Sequence, residues 1–170
     1  MPPRLNESTE KRTFAVLVDN EPGVLARVVG LFSARGYNIE SLTVAETDAK
    51  AHVSRITIVT SGTALILEQI RAQLDRMVSV RDVQDVTLDP QGIERELALM
   101  KVRGRGEQRA EALRLADIFR AKVIDTSHES FVFELTGAPG KIDKFVDLMR
   151  PLGLAEMSRT GVLSLTRGVD

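Results

Sequence analysis

Asp19-Asn20-Glu21-Pro22-Gly23 is the stretch whose residue types and spacing point most directly to chemistry. It separates an apolar, β-rich run (Thr13–Val18) from an apolar pattern of helical period, so it reads as a strand-to-helix turn. A helix start presents unpaired backbone N–H groups and the positive end of the helix dipole, which attract an anion such as an amino-acid carboxylate. Gly23 has no Cβ, so a ligand can approach the backbone closely there. Asn20 is placed either to cap the helix or to contact a ligand. Asn38 opens the following strand, and its amide offers both donors and acceptors. That strand would neighbour the turn within the chain or across a dimer interface. The plainer reading of the same letters is a capped helix start with a turn Asn after the helix.

Beyond this turn the chain carries little catalytic chemistry. It has no cysteine, which removes disulfides, thiol nucleophiles, thiolate zinc sites and iron–sulfur clusters. His52 and His128 are its two histidines; both sit in polar, turn-like segments without a triad partner, and no metal site is assigned. Gly137-Ala-Pro-Gly-Lys141 lacks the first glycine and the Ser/Thr of a phosphate loop, since Leu135 and Ile142 stand there. Gly104-Arg-Gly106 lacks a third glycine at dinucleotide-binding spacing. The net charge is −1, from 23 basic and 24 acidic residues, which argues against nucleic-acid binding by bulk charge. The segment Arg103–Lys122 has a local excess of three positive charges, read as a solvated helix face. With no apolar run near ~20 residues and a polar, acid-bearing start, a cytoplasmic location and no membrane contact are expected. A binding or regulatory protein is expected rather than an enzyme, with no catalytic residue assigned.

The elements that must position the turn follow from periodicity. Residues 1–12 read as a flexible tail and Thr13–Val18 as a strand buried on both faces. Leu25, Val28, Val29 and Phe32 form one apolar helical stripe, closed by Gly36 as the left-handed residue expected past the helix end. Asn38–Glu46 and Val53–Thr60 read as strands joined by a polar turn. Leu67, Ile70, Leu74 and Met77 line a second helix, and Val80–Leu88 forms another strand. The order β-α-β-β-α-β over residues 13–88 is the ferredoxin-like arrangement. Asp89-Pro90-Gln91-Gly92 marks a linker, set at residues 89–94. The pattern then repeats over residues 95–170. Strands Arg95–Val102, Lys122–Thr126 and Phe131–Thr136 accompany two helices, one with Ala112, Leu115, Ala116 and Phe119 in phase, the other with Ile142, Phe145, Val146 and Met149. Leu154–Ser158 and Val162–Thr166 finish the second unit as one strand broken at Gly161 or as a hairpin. The expected fold class is α+β, two ferredoxin-like domains in tandem.

The turn and first helix resemble the ACT domain, a small ligand-binding regulatory module. Gly30–Val44 (GLFSARGYNIESLTV) more specifically resembles the regulatory (small) subunit of acetolactate synthase, also called acetohydroxyacid synthase. Ile118–Asp125 (IFRAKVID), Ser158–Val162 (SRTGV) and Ser164–Gly168 (SLTRG) are similar to that family's C-terminal domain. The similarity runs over nearly the whole chain from Thr13. It implies an N-terminal ACT domain followed by an ACT-like one, and ACT domains that pair into a homodimer with their sheets side by side. It also implies that valine, or leucine or isoleucine, binds at the dimer interface. Residue by residue, Asn20, Gly23, Val24 and Leu25 match the family's effector turn. Asn38 and Ile39 match its positions on the next strand, contributed from the partner chain. The implied function is noncatalytic: activation of a catalytic (large) subunit and feedback inhibition of it. The cofactors thiamine diphosphate, Mg²⁺ and FAD would sit on that subunit and none on this chain.

Two other classes of function compete. A stand-alone tandem ACT sensor would control another enzyme or transcription. An RNA-binding module would need exposed aromatics on its central strands, and Asn38–Val44 and Val53–Thr60 contain none.

Overall fold

The computed structural model describes residues 8–168, which divide into two compact units. The first unit comprises the described residues through Ile93 together with those from Val162 onward; the second is Glu94–Gly161. The expected tail 1–12 lies partly outside the described residues. Where it is described, strand β1 already runs from Glu10 to Asp19, because its pairing with β3 extends back to Glu10 opposite Gly62.

In the first unit β1 is followed by α1 (Val24–Ala34), β2 (Ser41–Asp48), β3 (Val53–Gly62), α2 (Ala64–Asp75) and β4 (Val80–Asp85). The strands form an antiparallel sheet in the order β2-β3-β1-β4. Alternate residues of β1 and β3 explain which face the helices cover. Phe14, Val16, Val18, Ile56 and Ile58 are buried in one cluster with Val28 and Phe32 of α1 and Leu67, Ile70 and Leu74 of α2. The opposite parity, Thr13, Ala15 and Leu17 against Val59, Thr57 and Arg55, faces away from both helices. Thr63 caps α2 by accepting from Ile66 N–H at 3.3 Å. Met77 lies past the end of α2 and packs beside the core, where the sequence pattern had placed it on the helix. The buried Arg12 ties β1 to α2 and β4 through Glu68 at 2.8 Å and Asp85 at 3.3 Å.

The stripe on α1 starts one residue earlier than the sequence suggests. Val24, Val28 and Phe32 are buried, whereas Leu25 is 41% exposed. Gly36 adopts φ 68° just past the helix, the left-handed conformation expected there.

The second unit contains β5 (Gly92–Arg103), α3 (Gly106–Ile118), β6 (Lys122–Thr126), β7 (Ser130–Gly137), α4 (Pro139–Met149) and β8 (Leu154–Arg159). Its antiparallel strands run β6-β7-β5-β8. Ala112, Ala116, Phe131, Phe133, Leu135, Ile142, Phe145, Val146 and Met149 form its core. Glu96 is buried and receives Nε and Nη2 of Arg159 at 2.8 and 2.6 Å, while Arg159 Nη1 reaches Asp143 on α4 at 2.7 Å. Both units therefore have βαββαβ order, two ferredoxin-like halves of an α+β chain.

The end of the chain settles between the two arrangements expected for it. The final strand, β9 (Leu163–Thr166), forms no hairpin with β8: both pair with β5, with a break at Gly161, the first of the two arrangements expected from the sequence. Although β8 and β9 both pair with β5, the residues from Val162 onward group with the first unit. Besides this pairing, the segment makes polar contacts on the helix-free face of the first sheet. Val162 N–H donates to Ser41 Oγ at 2.9 Å, Thr43 Oγ1 to Val162 O at 3.1 Å, and Arg55 Nη2 to Ser164 O at 2.8 Å. The expected linker 89–94 is likewise short: Gly92 N–H bonds Asp89 O at 2.9 Å and β5 has already begun. Gly92 is needed there, since a Cβ would stand 2.4 Å from Val86 O.

Candidate functional site

The turn between β1 and α1 is built on glycine. Gly23 is the N-cap residue, with φ 84° and ψ −2°, a conformation that disfavours any residue with a Cβ. No side chain caps the helix, so Asn20 is not its cap. Val24 N–H reaches Glu21 O at 3.3 Å and Arg27 N–H reaches Gly23 O at 3.0 Å. A Cβ at Gly23 would meet nothing within 4 Å, so the space beside the helix start is open. An uncapped helix start with open space can receive an anion.

Asn20 holds this turn by its backbone: its N–H donates to His52 O at 2.7 Å. Its side chain is exposed and has no hydrogen-bond partner among the described residues. Val24 is 4% exposed and belongs to the core, so only its backbone can serve a ligand. Leu25, 41% exposed, offers an apolar surface on the first turn of α1.

Asn38 and Ile39 lead into β2. Asn38 O accepts from Thr60 Oγ1 at 2.5 Å, and Glu40 N–H donates to Val59 O at 2.8 Å. The Asn38 side chain is exposed and without a partner among the described residues, and Ile39 packs partly on the core. Hydrogen bonds from Ser61 and Lys11 hold the Glu40 carboxyl below its ordinary pKa, the Ser61 bond contributing most.

Strand direction decides what these residues can do together. Asn20 sits at the His52 end of β3 and Asn38 at its Thr60 end. Eight residues of strand separate those levels, about 26 Å at ~3.3 Å per residue. Within one chain, Asn20, Gly23 and Leu25 therefore stand at one end of the sheet and Asn38 and Ile39 at the other. β2, however, is an edge strand, and from Val44 to Asp48 it is exposed at every residue. Antiparallel two-fold pairing of β2 with a second copy would bring that copy's Asn38 to the end where Asn20 lies.

A brace around the turn was not legible from the sequence. Arg27 Nη2 donates to Ser79 Oγ at 2.8 Å, Ser79 Oγ to Glu21 Oε2 at 3.4 Å, and Asp19 N–H to Ser79 O at 2.8 Å. Arg81 pairs with Asp19. Ser79 is buried, and nothing in the letters VSV links it to Glu21, fifty-eight residues earlier.

The second unit has a shallow, mainly apolar groove of about 560 Å³ between α3 and β6, lined by Leu113, Ala116, Ala121 and Val123 with Arg114 and Asp117. The basic segment beside it is largely engaged: Arg114 with Glu111, Arg105 with Glu129, and Arg109 over the Phe131 ring. Among the described residues no three His, Cys, Asp or Glu side chains gather as metal ligands.

Known proteins share this layout. Residues 14–82 match the family described as the AHAS small subunit-like ACT domain, and residues 95–168 that described as the small subunit of acetolactate synthase. The chain is 46% identical over 158 residues to the probable acetolactate synthase small subunit of Archaeoglobus fulgidus, covering 93% of this chain and 98% of the relative. It is 45% identical over 159 residues to the acetolactate synthase small subunit of Haemophilus influenzae, covering 93% and 96%. The crystal structure of the acetolactate synthase small subunit from Thermotoga maritima superposes with a TM-score of 0.81 at 37% identity, covering 95% of this chain and 99% of that one.

Proposed function

The chain belongs to the family of acetolactate synthase small subunits, the regulatory subunits of that enzyme, and on that premise we propose how it acts. It forms a homodimer through the β2 edges of its ACT units. Each dimer holds two effector sites, each built from the α1 turn of one chain and the start of β2 of the other. The effector is valine, or the related leucine or isoleucine. Its carboxylate sits at the uncapped α1 start beside Gly23, its polar head meets Asn20 and the partner's Asn38, and its aliphatic side chain lies against Leu25 and Ile39.

The chain itself carries no catalytic group in this reading. It raises the activity of a thiamine-diphosphate-, Mg²⁺- and FAD-dependent catalytic subunit in the cytoplasm and lowers that activity when the effector binds. For this the effector must bind two states of the dimer with different affinity.

The observation that carries the proposal is the separation of Asn20 and Asn38, two exposed, unpartnered amides at opposite ends of one sheet whose edge strand is open. Mixed dimers test it. Asn20→Ala and Asn38→Ala should each abolish valine inhibition of the reconstituted enzyme while activation remains. A mixed dimer of one Asn20→Ala chain and one Asn38→Ala chain should regain one valine site of two, because one of its two sites keeps both amides. A site contained within one chain predicts no valine binding in any mixed dimer, and that result would refute the proposal.

A further inference from the structure

The segment after Gly161 is not explained by the effector site, and it crosses the first unit's sheet from edge to edge. Val162 is held at β2 by Ser41 and Thr43, Ser164 at β3 by Arg55, and Thr166 at β4 by Gln84 Nε2 at 2.7 Å. These four side chains share the helix-free face, since Ser41 lies opposite Val59, Thr43 opposite Thr57, Ala45 opposite Arg55, and Gln84 opposite Ala15. Val162 and Ser164 point in and are each 5% exposed, whereas Leu163 and Leu165 are 54% and 63% exposed. Arg167 N–H closes the crossing by donating to Gln91 O at 2.9 Å.

The docking is incomplete in its polar pairing. Ser164 Oγ and Arg55 Nε are both buried without a hydrogen-bond partner among the described residues. Burial also pushes the Arg55 guanidinium below its ordinary pKa, against the pull of Asp82. Unmet buried polar atoms weaken a docked segment relative to its free state. The segment thus pairs with β5 by its backbone, while on the first sheet it buries few apolar groups and leaves polar atoms unmet, so this face of its docking is the weaker one.

We propose that residues 162–166 form a strap whose docking responds to the effector, because it grips the same strand that Asn38 and Ile39 lead into. This deepens the effector reading above and rests on it. Ser41 and Thr43 lie three and five residues beyond Asn38 on one continuous segment, so a ligand that repositions Asn38 shifts the groups that hold Val162. The strap then passes the state of the ACT unit to the chain that runs through Gly161 into the second unit.

Calorimetry with valine, leucine and isoleucine, followed by hydrogen exchange on the full-length chain, tests this. Saturation with the amino acid that binds should change the exchange of residues 162–166 at least threefold. The double variant Ser41→Ala with Thr43→Val should speed that exchange about tenfold and weaken effector binding at least threefold, with activation of the catalytic subunit retained. Val162→Asp should do the same from the strap's side, and it decides the matter if the double variant fails to fold. Binding heat without any change of exchange at 162–166 overturns the strap alone, as do variants that loosen it yet bind the effector as wild type. The absence of binding heat with all three amino acids overturns the effector reading and the strap together.

Discussion

Gly23→Ala and Gly30→Ala make one chemical change at two places on α1, and the structure gives them opposite signs. In both, the added Cβ meets nothing within 4 Å, so neither gains nor loses packing. They differ in backbone. Gly30 is an exposed residue inside the helix, where Ala is favoured over Gly by ~0.8–1.0 kcal/mol. Gly23 has φ 84°, where a Cβ costs ~1–2 kcal/mol, partly offset by ~0.4–1 kcal/mol from the stiffer unfolded chain. Gly30→Ala should therefore stabilise the first unit by about 1 kcal/mol and Gly23→Ala should destabilise it by about 0.5–1. The assay is urea unfolding at one fixed protein concentration, read at the first unit's transition, with a shared slope so that midpoints report stability. A separation of about 1.5–2 kcal/mol is expected, or roughly 6–16 °C in Tm if the unit melts like a 60–100-residue domain. Gly23→Ala should also weaken effector binding, and Gly30→Ala should leave it unchanged. Equal shifts of the same sign would refute the assignment of the turn conformation to Gly23, and with it the geometry of the proposed anion site.

Glu96→Ala strips the second unit's buried acid from Arg159 and leaves that guanidinium only its contact with Asp143; a loss of about 3 kcal/mol is expected in chemical unfolding, and a loss under 1 would show that solvent replaces the pair. Glu40 gives a pH test. Its folded pKa is depressed, chiefly by the Ser61 hydrogen bond, so its contribution is present above the ordinary carboxylate pKa of 4.5 and is lost as pH falls through the lower folded value. Glu40→Gln should flatten the acid limb of the stability–pH curve below that point and leave its shape near pH 7 unaltered; an unchanged acid limb would exclude the pairing.

Much of the fold was legible because each element's period is local. Ile142, Phe145, Val146 and Met149 were in helical phase, and all four are buried; Lys122–Thr126 has the strand bounds its letters suggested. The helix end at Gly36 followed from the need for a left-handed residue. The stripe of α1 kept Val28 and Phe32 but begins at Val24, the residue directly after the Gly23 cap. That makes Val24 the first core residue and turns Leu25 outward.

The strand-to-helix turn with Asn20 and Gly23, and Asn38 ahead of β2, could be singled out in the sequence as a candidate site, and the family the chain resembles is the family to which it belongs. Their arrangement could not. Strand order and direction are long-range pairings, and only these put Asn20 and Asn38 at opposite ends of the sheet, with β2 at its edge. The same holds for Val162–Thr166. Its alternation declares a strand with one buried face, but period two does not say which sheet receives it. The strand pairs with β5, and hydrogen bonds to Ser41, Thr43 and Arg55, more than one hundred residues away in sequence, lay it on the first unit's sheet face. The sequence by itself determined the elements and their faces, because propensity and periodicity act over a few residues. The tertiary structure decided which ends and edges meet, because that depends on partners distant along the chain.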